Sequence, residues 1–195
     1  MSAPAGVHGQ AGVAEARGPD AGTATPETSR TPRVWKLLAD VDTDQLAPGQ
    51  TMKHGIEVTA QHCLQAVRTD FAAGVRAGDV IVAGPRFGIG SSREQAASVL
   101  VHLGVAAVVA PSFNGLYFRN AFNVGLLLVT CPRAAEIDDG EAVRVDARAG
   151  TLTRADGTVL PCFPIPGFLL ERVEAGGLLP QLKRRLAART EEPRP

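Results

Sequence analysis

The sequence has few cysteines and few aromatic residues. Among its 195 residues are three cysteines, one tryptophan and one tyrosine. Cys63, Cys131 and Cys162 are far apart in the chain, whereas the ligands of zinc and iron–sulfur sites usually come in close pairs. We therefore expect that the chain builds no metal centre by itself and that its thiols stay reduced in the cytoplasm.

An excess of one charge and a long apolar run are also missing. Lys and Arg together number 20, as do Asp and Glu, so the formal net charge is zero. This balance gives neither the basic field that attracts nucleic acid nor the acidic excess of a solvating tail. No apolar run approaches the roughly 20 residues that cross a bilayer, so no membrane partner is expected.

Residues 1–30 lack the apolar stretch of a secretory signal and carry acidic residues that transit peptides avoid, namely Glu15, Asp20 and Glu27.

The composition divides the chain into three stretches. Residues 1–31 are rich in Ala, Gly, Pro, Ser and Thr and have almost no large apolar side chains, so they cannot bury enough surface to offset the entropy of ordering. The last residues are charged and flanked by proline. We expect a disordered tail over residues 1–31, one globular domain over residues 32–186 and a flexible C-terminal tail over residues 187–195.

Signals for buried strands and for helices alternate through the middle of the sequence. Short apolar runs that suit buried strands occupy residues 79–83, 105–110 and 126–129. Between these runs, apolar residues recur at helical spacing over residues 96–103 and 113–123. Each helical segment is followed by a glycine that is placed to end it, Gly104 and Gly125.

This succession of strands and helices implies right-handed crossovers and a parallel sheet that is covered by helices. Further along the chain, apolar and polar residues alternate from Val143 to Ala147, and Asp156-Gly157 offers a turn before Val159. That pattern predicts an antiparallel hairpin. The predicted fold class is α/β, with a mostly parallel sheet covered by helices and an added β-hairpin portion.

The chemistry concentrates in residues 88–94, Gly-Ile-Gly-Ser-Ser-Arg-Glu, between a predicted strand and a predicted helix. The glycines allow a tight turn, and the open amides and dipole of a helix N-terminus favour an anion there. The simpler alternative is that the serines only cap the helix, with Ser91 paired to Glu94 or Ser92 paired to Gln95.

Arg93 argues against a purely capping role for this segment. A cation in the first turn opposes the helix dipole, so Arg93 requires a carboxylate opposite it, either an internal Asp or Glu or a bound substrate. A phosphate-binding loop is a poorer match, because its residue order is absent and one Gly-x-Gly without a third glycine is a weak dinucleotide signal.

Two further pairs of polar residues leave alternatives open. Asp42 and Asp44 are spaced as in calcium loops, but no further ligand follows at that spacing. A turn-forming or interdomain role, in which their side chains bond local amides, is favoured. Arg119 and Asn120 either keep the Ser91 region in shape or face a partner subunit.

Several segments resemble a known family. Residues 84–96, Gly-Pro-Arg-Phe-Gly-Ile-Gly-Ser-Ser-Arg-Glu-Gln-Ala, are similar to the signature Phe-Gly-Cys-Gly-Ser-Ser-Arg-Glu-His-Ala of the isopropylmalate isomerase small subunits and the equivalent aconitase domain. Residues 41–49, Val-Asp-Thr-Asp-Gln-Leu-Ala-Pro-Gly, resemble the family's Asp-Thr-Asp-Gln-Ile-Ile-Pro-Gly segment. Residues 110–126 resemble its second helix, and with Val34–Lys36 the resemblance spans about residues 33–182.

The resemblance implies a swivelling β/β/α domain that acts as the small subunit of a two-subunit hydro-lyase. In this family a [4Fe–4S] cluster on the large subunit acts as a Lewis acid toward a small 2-hydroxy carboxylate, so no cofactor is expected on this chain. Ser91 matches the family's base, and Ser92 and Arg93 match residues that hold substrate carboxylates. Residues expected to support the loop and helix around Ser91 are Gly88, Gly90, Glu94, Asp42 and Asp44.

Some residues depart from the family pattern. Ile89 stands in place of the usual Cys, Gln95 in place of the usual His, and residues 50–54 read Gln-Thr-Met-Lys-His where isopropylmalate isomerases tend to have Tyr-Leu-Arg. Lys53 thus replaces a carboxylate-binding Arg with a point charge, unless it and His54 are simply polar residues of a solvated loop.

The first expectation for the reaction is the conversion of 2-isopropylmalate to 3-isopropylmalate in leucine biosynthesis. Because of the departures, two alternatives stay open. One is a sibling hydro-lyase for a methylmalate or citraconate, homoaconitate or citrate type of substrate, and the other is a binding module without catalysis. A purely structural scaffold leaves Arg93 unexplained.

Overall fold

The structure, a computed structural model, describes residues 32–191. Its strands, in chain order, are β1 (Val34–Lys36), β2 (Val80–Val82), β3 (Ala107–Ala110), β4 (Leu127–Thr130), β5 (Arg144–Asp146), β6 (Thr151–Thr153) and β7 (Val159–Pro161). Its helices are α1 (Thr43–Leu46), α2 (Ile56–Gln61), α3 (Phe71–Gly74), α4 (Gln95–His102), α5 (Gly115–Asn123), α6 (Gly167–Glu174) and α7 (Leu178–Glu191). Short 3₁₀ turns lie at Met52–His54 and Ala134–Glu136. The tail expected over residues 1–31 lies outside the described residues.

The strands form two sheets. β1, β2, β3 and β4 lie side by side in that order, and each neighbouring pair is parallel. β5, β6 and β7 form an antiparallel sheet. The predicted α/β class is therefore confirmed, and the Asp156-Gly157 turn joins β6 to β7. The added portion has one strand more than the predicted hairpin.

Alternate side chains of the parallel sheet point to opposite faces. The side chains on one face, which pack with buried residues of α4 and α5, are Trp35, Ile81, Val108 and Leu128. The side chains on the other face, which pack with Leu152 and Leu160 of the antiparallel sheet, are Val34, Val80, Val82, Val109 and Val129. The parallel sheet is thus the middle layer of a β/β/α arrangement.

The ends of the helices follow the sequence signals in most places. Gly104 and Gly125 have φ angles of +78° and +86°, so these glycines follow α4 and α5 in the left-handed conformation that a helix end favours. The last helix differs from expectation. α7 continues to Glu191, whereas the sequence predicts a tail from residue 187 onward. Residues 182–189, rich in Leu, Ala, Lys and Arg, have high helix propensity, which outweighs their charge.

A buried carboxylate links the start of β1 to the start of β2. Asp79 is fully buried and accepts hydrogen bonds from the indole Nε1 of Trp35 at 2.9 Å and from the amides of Arg33 and Arg76 at 3.0 Å. Trp35 itself is 1% exposed. The carboxylate therefore fixes the position of the largest side chain in the core.

Asp79→Asn is expected to lower the free energy of unfolding by about 3 kcal/mol, because the amide turns an NH₂ group toward buried N–H donors. Urea denaturation of the full chain, followed by circular dichroism, measures this loss. The matched control is Asp156→Asn, at an exposed carboxylate that accepts a hydrogen bond from the Thr158 amide at 2.8 Å. Equal losses in the two variants would show that burial of Asp79 is unimportant.

Candidate active site

Loops that follow the carboxyl ends of β1, β2 and β3 meet at one edge of the parallel sheet. They comprise residues 37–42, 83–94 and 111–114. In α/β folds this edge is where ligands bind, because successive loops come together there. We call residues 88–94, the middle part of this edge, the serine loop.

Backbone hydrogen bonds fix the serine loop against the segment after β1. The amide of Gly88 donates to the carbonyl of Val41 at 2.7 Å, and the amide of Thr43 donates to the carbonyl of Ile89 at 2.9 Å. These bonds form a short parallel bridge that ends where α1 begins. The Asp-Thr-Asp motif and the glycine-rich motif, far apart in sequence, are therefore neighbours in space.

The serine loop also lies directly on α5. Gly88 has a φ of +79°, and a Cβ at this position would come within 2.2 Å of Cγ of Tyr117. Tyr117 is fully buried, packs edge-on against Phe87 with 5.4 Å between ring centroids, and donates its hydroxyl to the carbonyl of Ala96 at 3.4 Å. Gly88 is thus required by the backbone conformation and by the close approach of an aromatic ring.

The two serines of the loop are exposed. Within residues 32–191 the side chain of Ser91 makes no hydrogen bond, so its hydroxyl is open to a ligand. The hydroxyl of Ser92 accepts a hydrogen bond from Nδ2 of Asn120 at 3.3 Å. This bond favours the alternative in which Asn120 supports the Ser91 region. The neighbouring Arg119 is exposed, as a residue that faces a partner subunit would be.

Arg93 has an internal carboxylate as its partner. Its Nη1 donates to Oδ1 of Asp44, and to the carbonyl of Ala47 at 3.1 Å. The Arg93 side chain is 20% exposed, and that of Asp44 is 62% exposed. An ion pair this open to water adds little to stability, so its effect is to orient the guanidinium.

The serine caps of the simpler alternative do not form. α4 begins at Gln95, its N-cap residue Glu94 is in the helical region, and no side chain caps the helix. Ser91 and Arg93 therefore precede the first turn instead of lying in it. The backbone carbonyl of Arg93 accepts from the amide of Ala96 at 3.3 Å, and that of Glu94 accepts from the amides of Ala97 and Ser98 at 3.0 and 2.9 Å. Arg93 still lies at the positive end of the helix dipole, and the carboxylate of Asp44 is the negative charge that its guanidinium faces.

A capping box occurs at α1 instead. The carboxylate of Asp42 accepts from the amide of Gln45 at 2.8 Å, and Oε1 of Gln45 accepts from the amide of Asp42 at 3.1 Å. Asp42 therefore bonds a local amide, as the turn-forming alternative states, while Asp44 points to Arg93. The two carboxylates have separate partners and do not share a cation.

Lys53 is not brought into contact with the serine loop. It lies with His54 on the exposed 3₁₀ turn Met52–His54, and within residues 32–191 neither side chain has a hydrogen bond or an ion pair. Glu94 is also exposed, and the structure gives its carboxylate no partner among those residues. The carboxylate of Glu94 therefore makes no contact that supports the loop, and the supporting role of this residue stays a prediction.

Thr43 is a residue of the site that the sequence did not single out. It is 1% exposed, and its Oγ1 has no hydrogen-bond partner within residues 32–191. A Cβ at Gly90 would lie 3.0 Å from this oxygen, so the hydroxyl lies directly beneath the turn that carries Ser91. Its place inside the Asp-Thr-Asp motif was the only signal available.

A cleft of about 460 Å³ opens beside α1. The residues that line it are Asp42, Asp44, Gln45, Pro48, Gln50, His62, Gln65 and Ala66. Because two carboxylates face this cleft, it is a poor place for an anionic group. The guanidinium of Arg93, in the same loop as Ser91, is a positively charged group next to this cleft, because it contacts Asp44.

The described residues offer neither a cluster of metal ligands nor a membrane span. Among residues 32–191, no group of three or more His, Cys, Asp or Glu side chains is placed to hold a metal ion. Cys63 lies in the core on the helical side of the parallel sheet, and Cys131 lies on its other side, so the thiols do not suit a cluster. No helix in residues 32–191 is both long and apolar enough to cross a membrane.

Known proteins share both the sequence and the fold. Residues 44–134 match the family model of the aconitase C-terminal domain. The 3-isopropylmalate dehydratase small subunit 1 of Methanopyrus kandleri is 42% identical over 155 residues, which are 78% of this chain and 91% of that protein. The methanogen homoaconitase small subunit of Methanothermobacter thermautotrophicus is 40% identical over 149 residues, 75% of this chain and 86% of that protein.

A solved structure of a protein with a related name has the same fold. The crystal structure of 3-isopropylmalate dehydratase from Methanocaldococcus jannaschii has a TM-score of 0.78 and 36% sequence identity, and the match covers 83% of this chain and 97% of that chain. The fold and the serine loop thus define a domain of the aconitase type of hydro-lyase. The chain belongs to the aconitase C-terminal domain family and, within it, to the small subunits of the 3-isopropylmalate dehydratase kind.

Proposed function

We propose that this chain is the small subunit of a 3-isopropylmalate dehydratase, which works with a large subunit to convert 2-isopropylmalate to 3-isopropylmalate. The observation that carries this proposal is the exposed hydroxyl of Ser91, which makes no hydrogen bond within residues 32–191 and lies in the same loop as Arg93, whose guanidinium Asp44 holds in place. Relatives that are named as dehydratase small subunits support it. We assign residues 32–186 as the swivelling domain and the cytoplasm as the place of action.

The proposed role of Ser91 is that of the base. A [4Fe–4S] cluster, when bound by the large subunit, supplies a Lewis acid for the departing hydroxyl. Oγ of Ser91 removes the proton from the carbon next to a substrate carboxylate. A serine hydroxyl is a weak base at neutral pH, so the guanidinium of Arg93 and the amides of the serine loop must stabilise the alkoxide. They do so most strongly when the docked large subunit excludes water.

Arg93 and Ser92 are proposed to hold a substrate carboxylate. Asp44 and Ala47 engage only Nη1 of Arg93, so the other N–H groups of its planar fork are open to a second carboxylate. Ser92 accepts from Asn120 and therefore has its hydroxyl proton left to donate. Orientation by Asp44 and Asn120 reduces the entropy that these side chains lose when the substrate binds.

Lys53 is proposed to contact the substrate once the large subunit is docked, since its exposed amine is a mobile point charge.

A second candidate function is a homoaconitase-type reaction on a longer tricarboxylate. It is favoured by the 40% identity to a homoaconitase small subunit and by the presence of Lys53 where dehydratases tend to have arginine. The two candidates share the serine loop and the malate part of the substrate, and they differ in the group attached to the hydroxyl-bearing carbon, which is isopropyl in one and a carboxylate-bearing chain in the other.

Co-expression with candidate large subunits from the same genome tests the proposal. After anaerobic reconstitution with iron and sulfide, the complex is given a series of 2-hydroxy acids, and formation of the unsaturated product is followed by ultraviolet absorbance. We expect the fastest rise with 2-isopropylmalate and none with this chain alone. A rise only with homocitrate would transfer the assignment to the homoaconitase type. A stable complex that dehydrates no acid would identify a binding module without catalysis.

A further inference from the structure

Cys131 and Cys162 are brought together by the two sheets. Cys131 directly follows β4 of the parallel sheet, and Cys162 directly follows β7 of the antiparallel sheet. The amide of Phe163 donates to the carbonyl of Thr130 at 2.8 Å, so the two backbones run side by side at this point. Cys162 precedes Phe163, and Cys131 follows Thr130. The two cysteines are therefore neighbours in space although they are far apart in sequence.

The two thiols share one small region. Sγ of Cys131 lies 3.9 Å from the carbonyl oxygen of Pro161, and Sγ of Cys162 lies 3.8 Å from that of Leu160. Both side chains pack in the apolar layer between the two sheets. Cys131 is fully buried, whereas Cys162 is partly exposed, so the pair has an opening to solvent on one side only.

The environment makes the sulfur of Cys131 more reactive. A hydrogen bond with the Cys162 thiol, together with the backbone near Arg133, lowers the pKa of Cys131 below the ordinary range of a thiol. The same hydrogen bond and burial raise the pKa of Cys162. Of the two thiols, that of Cys131 is therefore the more readily deprotonated. Cys63 differs, because burial alone raises the pKa of its thiol.

We propose that Cys131 and Cys162 form a reversible disulfide when the protein meets a small peroxide, and that this bond ties the antiparallel sheet to the parallel sheet. The proposal does not depend on the catalytic assignment, since neither cysteine belongs to the serine loop or to the residues that contact it. In a reducing cytoplasm such a bond forms transiently, under oxidation, and is cleaved again by thiols.

The reaction balances with one peroxide. The Cys131 thiolate attacks one oxygen of hydrogen peroxide, the O–O bond breaks, and the sulfur becomes a sulfenic acid while the released hydroxide takes a proton to give water. Cys162 then attacks that sulfur and loses its own proton, the S–O bond breaks, and a second water leaves. Two thiols are oxidised to one disulfide, and one peroxide is reduced to two waters.

Peptide mapping of the full chain tests the proposal. The protein is treated with hydrogen peroxide, alkylated under denaturing conditions and digested with trypsin. Cys63, Cys131 and Cys162 then lie in the separate peptides 54–68, 120–133 and 155–172. We expect peptides 120–133 and 155–172 to be joined, with a mass two hydrogen atoms below the sum of the reduced forms, and the Cys63 peptide to remain alkylated. Dithiothreitol is expected to restore both thiols.

Two variants and one physical measurement complete the test. Cys162→Ser and Cys131→Ala each remove one sulfur and are expected to abolish the joined peptide. The bond is expected to raise the thermal midpoint of the wild-type chain by about 10 °C, because it closes a loop of the unfolded chain, and to leave that of Cys162→Ser unchanged. The proposal is overturned if both thiols remain alkylated after peroxide treatment. It is also overturned if peroxide gives only a sulfinic acid or a link between two chains.

Discussion

Ser91→Ala is expected to lower the turnover number of the reconstituted enzyme roughly a thousandfold, the size of effect that a positioned base supplies. The hydroxyl of Ser91 is exposed and unbonded within residues 32–191, so its removal costs no packing and breaks no hydrogen bond of the free subunit. The measurement is kcat and KM for the preferred 2-hydroxy acid, with wild-type and variant chains paired with the same large subunit. We expect kcat to fall and KM to change little, because Ser92 and Arg93, the residues proposed to hold the carboxylate, are unchanged.

The matched control for this prediction is Ser98→Ala. Ser98 lies in α4, and its hydroxyl donates to the backbone carbonyl of Glu94 at 3.1 Å, within the helix itself. It is expected to leave kcat within about twofold of wild type, since its hydroxyl is already bonded to the backbone and Ser98 has no proposed contact with the substrate. Both variants are expected to co-purify with the large subunit. Near-normal turnover by Ser91→Ala in an intact complex would refute the role of Ser91 as base.

Gly88→Ala is expected to lower the free energy of unfolding by about 4 kcal/mol, among the largest effects of any single substitution in this chain. The added methyl group meets Cγ of Tyr117 at 2.2 Å and Cβ of Tyr117 at 2.5 Å. Tyr117 is 1% exposed and held between Phe87 and the start of α4, so it has no space into which it can move. Urea denaturation of the full chain measures the loss.

A second glycine separates backbone strain from the clash. Gly157 has a φ of +85°, close to the +79° of Gly88, but a Cβ at Gly157 would meet nothing within 4 Å. Gly157→Ala is therefore expected to lower the free energy of unfolding by only about 1 kcal/mol, which is the strain of an alanine in the left-handed conformation. If the two variants lost equal stability, contact with Tyr117 would not be what requires glycine at position 88.

Local patterns were sufficient to predict the repeating part of the fold. Buried strands at residues 79–83 and 105–110 and the helices between them follow from runs of apolar residues and from glycines that end helices, because these signals act over a few neighbouring residues. The family motifs extended this prediction to the β/β/α layering. The short helices α1, α2 and α3 had no comparable signal, since each spans at most six residues.

The helix caps show where local patterns mislead. Ser-x-x-Glu at residues 91–94 has the spacing of a capping box, yet α4 begins at Gln95 without a side-chain cap. Asp-x-x-Gln at residues 42–45 also has that spacing, and there the box forms. What distinguishes them is the backbone of the serine loop, which is fixed by hydrogen bonds to the segment after β1 and follows a path that no propensity encodes.

The sequence by itself determined the alternation of strands and helices over residues 79–129 and the presence of two serines and an arginine in one loop, and the family motifs added the layer order. Only the tertiary structure decided that the partner of Arg93 is Asp44, that Asn120 supports Ser92 and that Tyr117 requires a glycine at position 88. The physical reason is the distance along the chain that separates the residues in contact. Periodicity and turn chemistry depend on adjacent residues, whereas these contacts join segments that become neighbours only when the parallel sheet aligns the carboxyl ends of its strands.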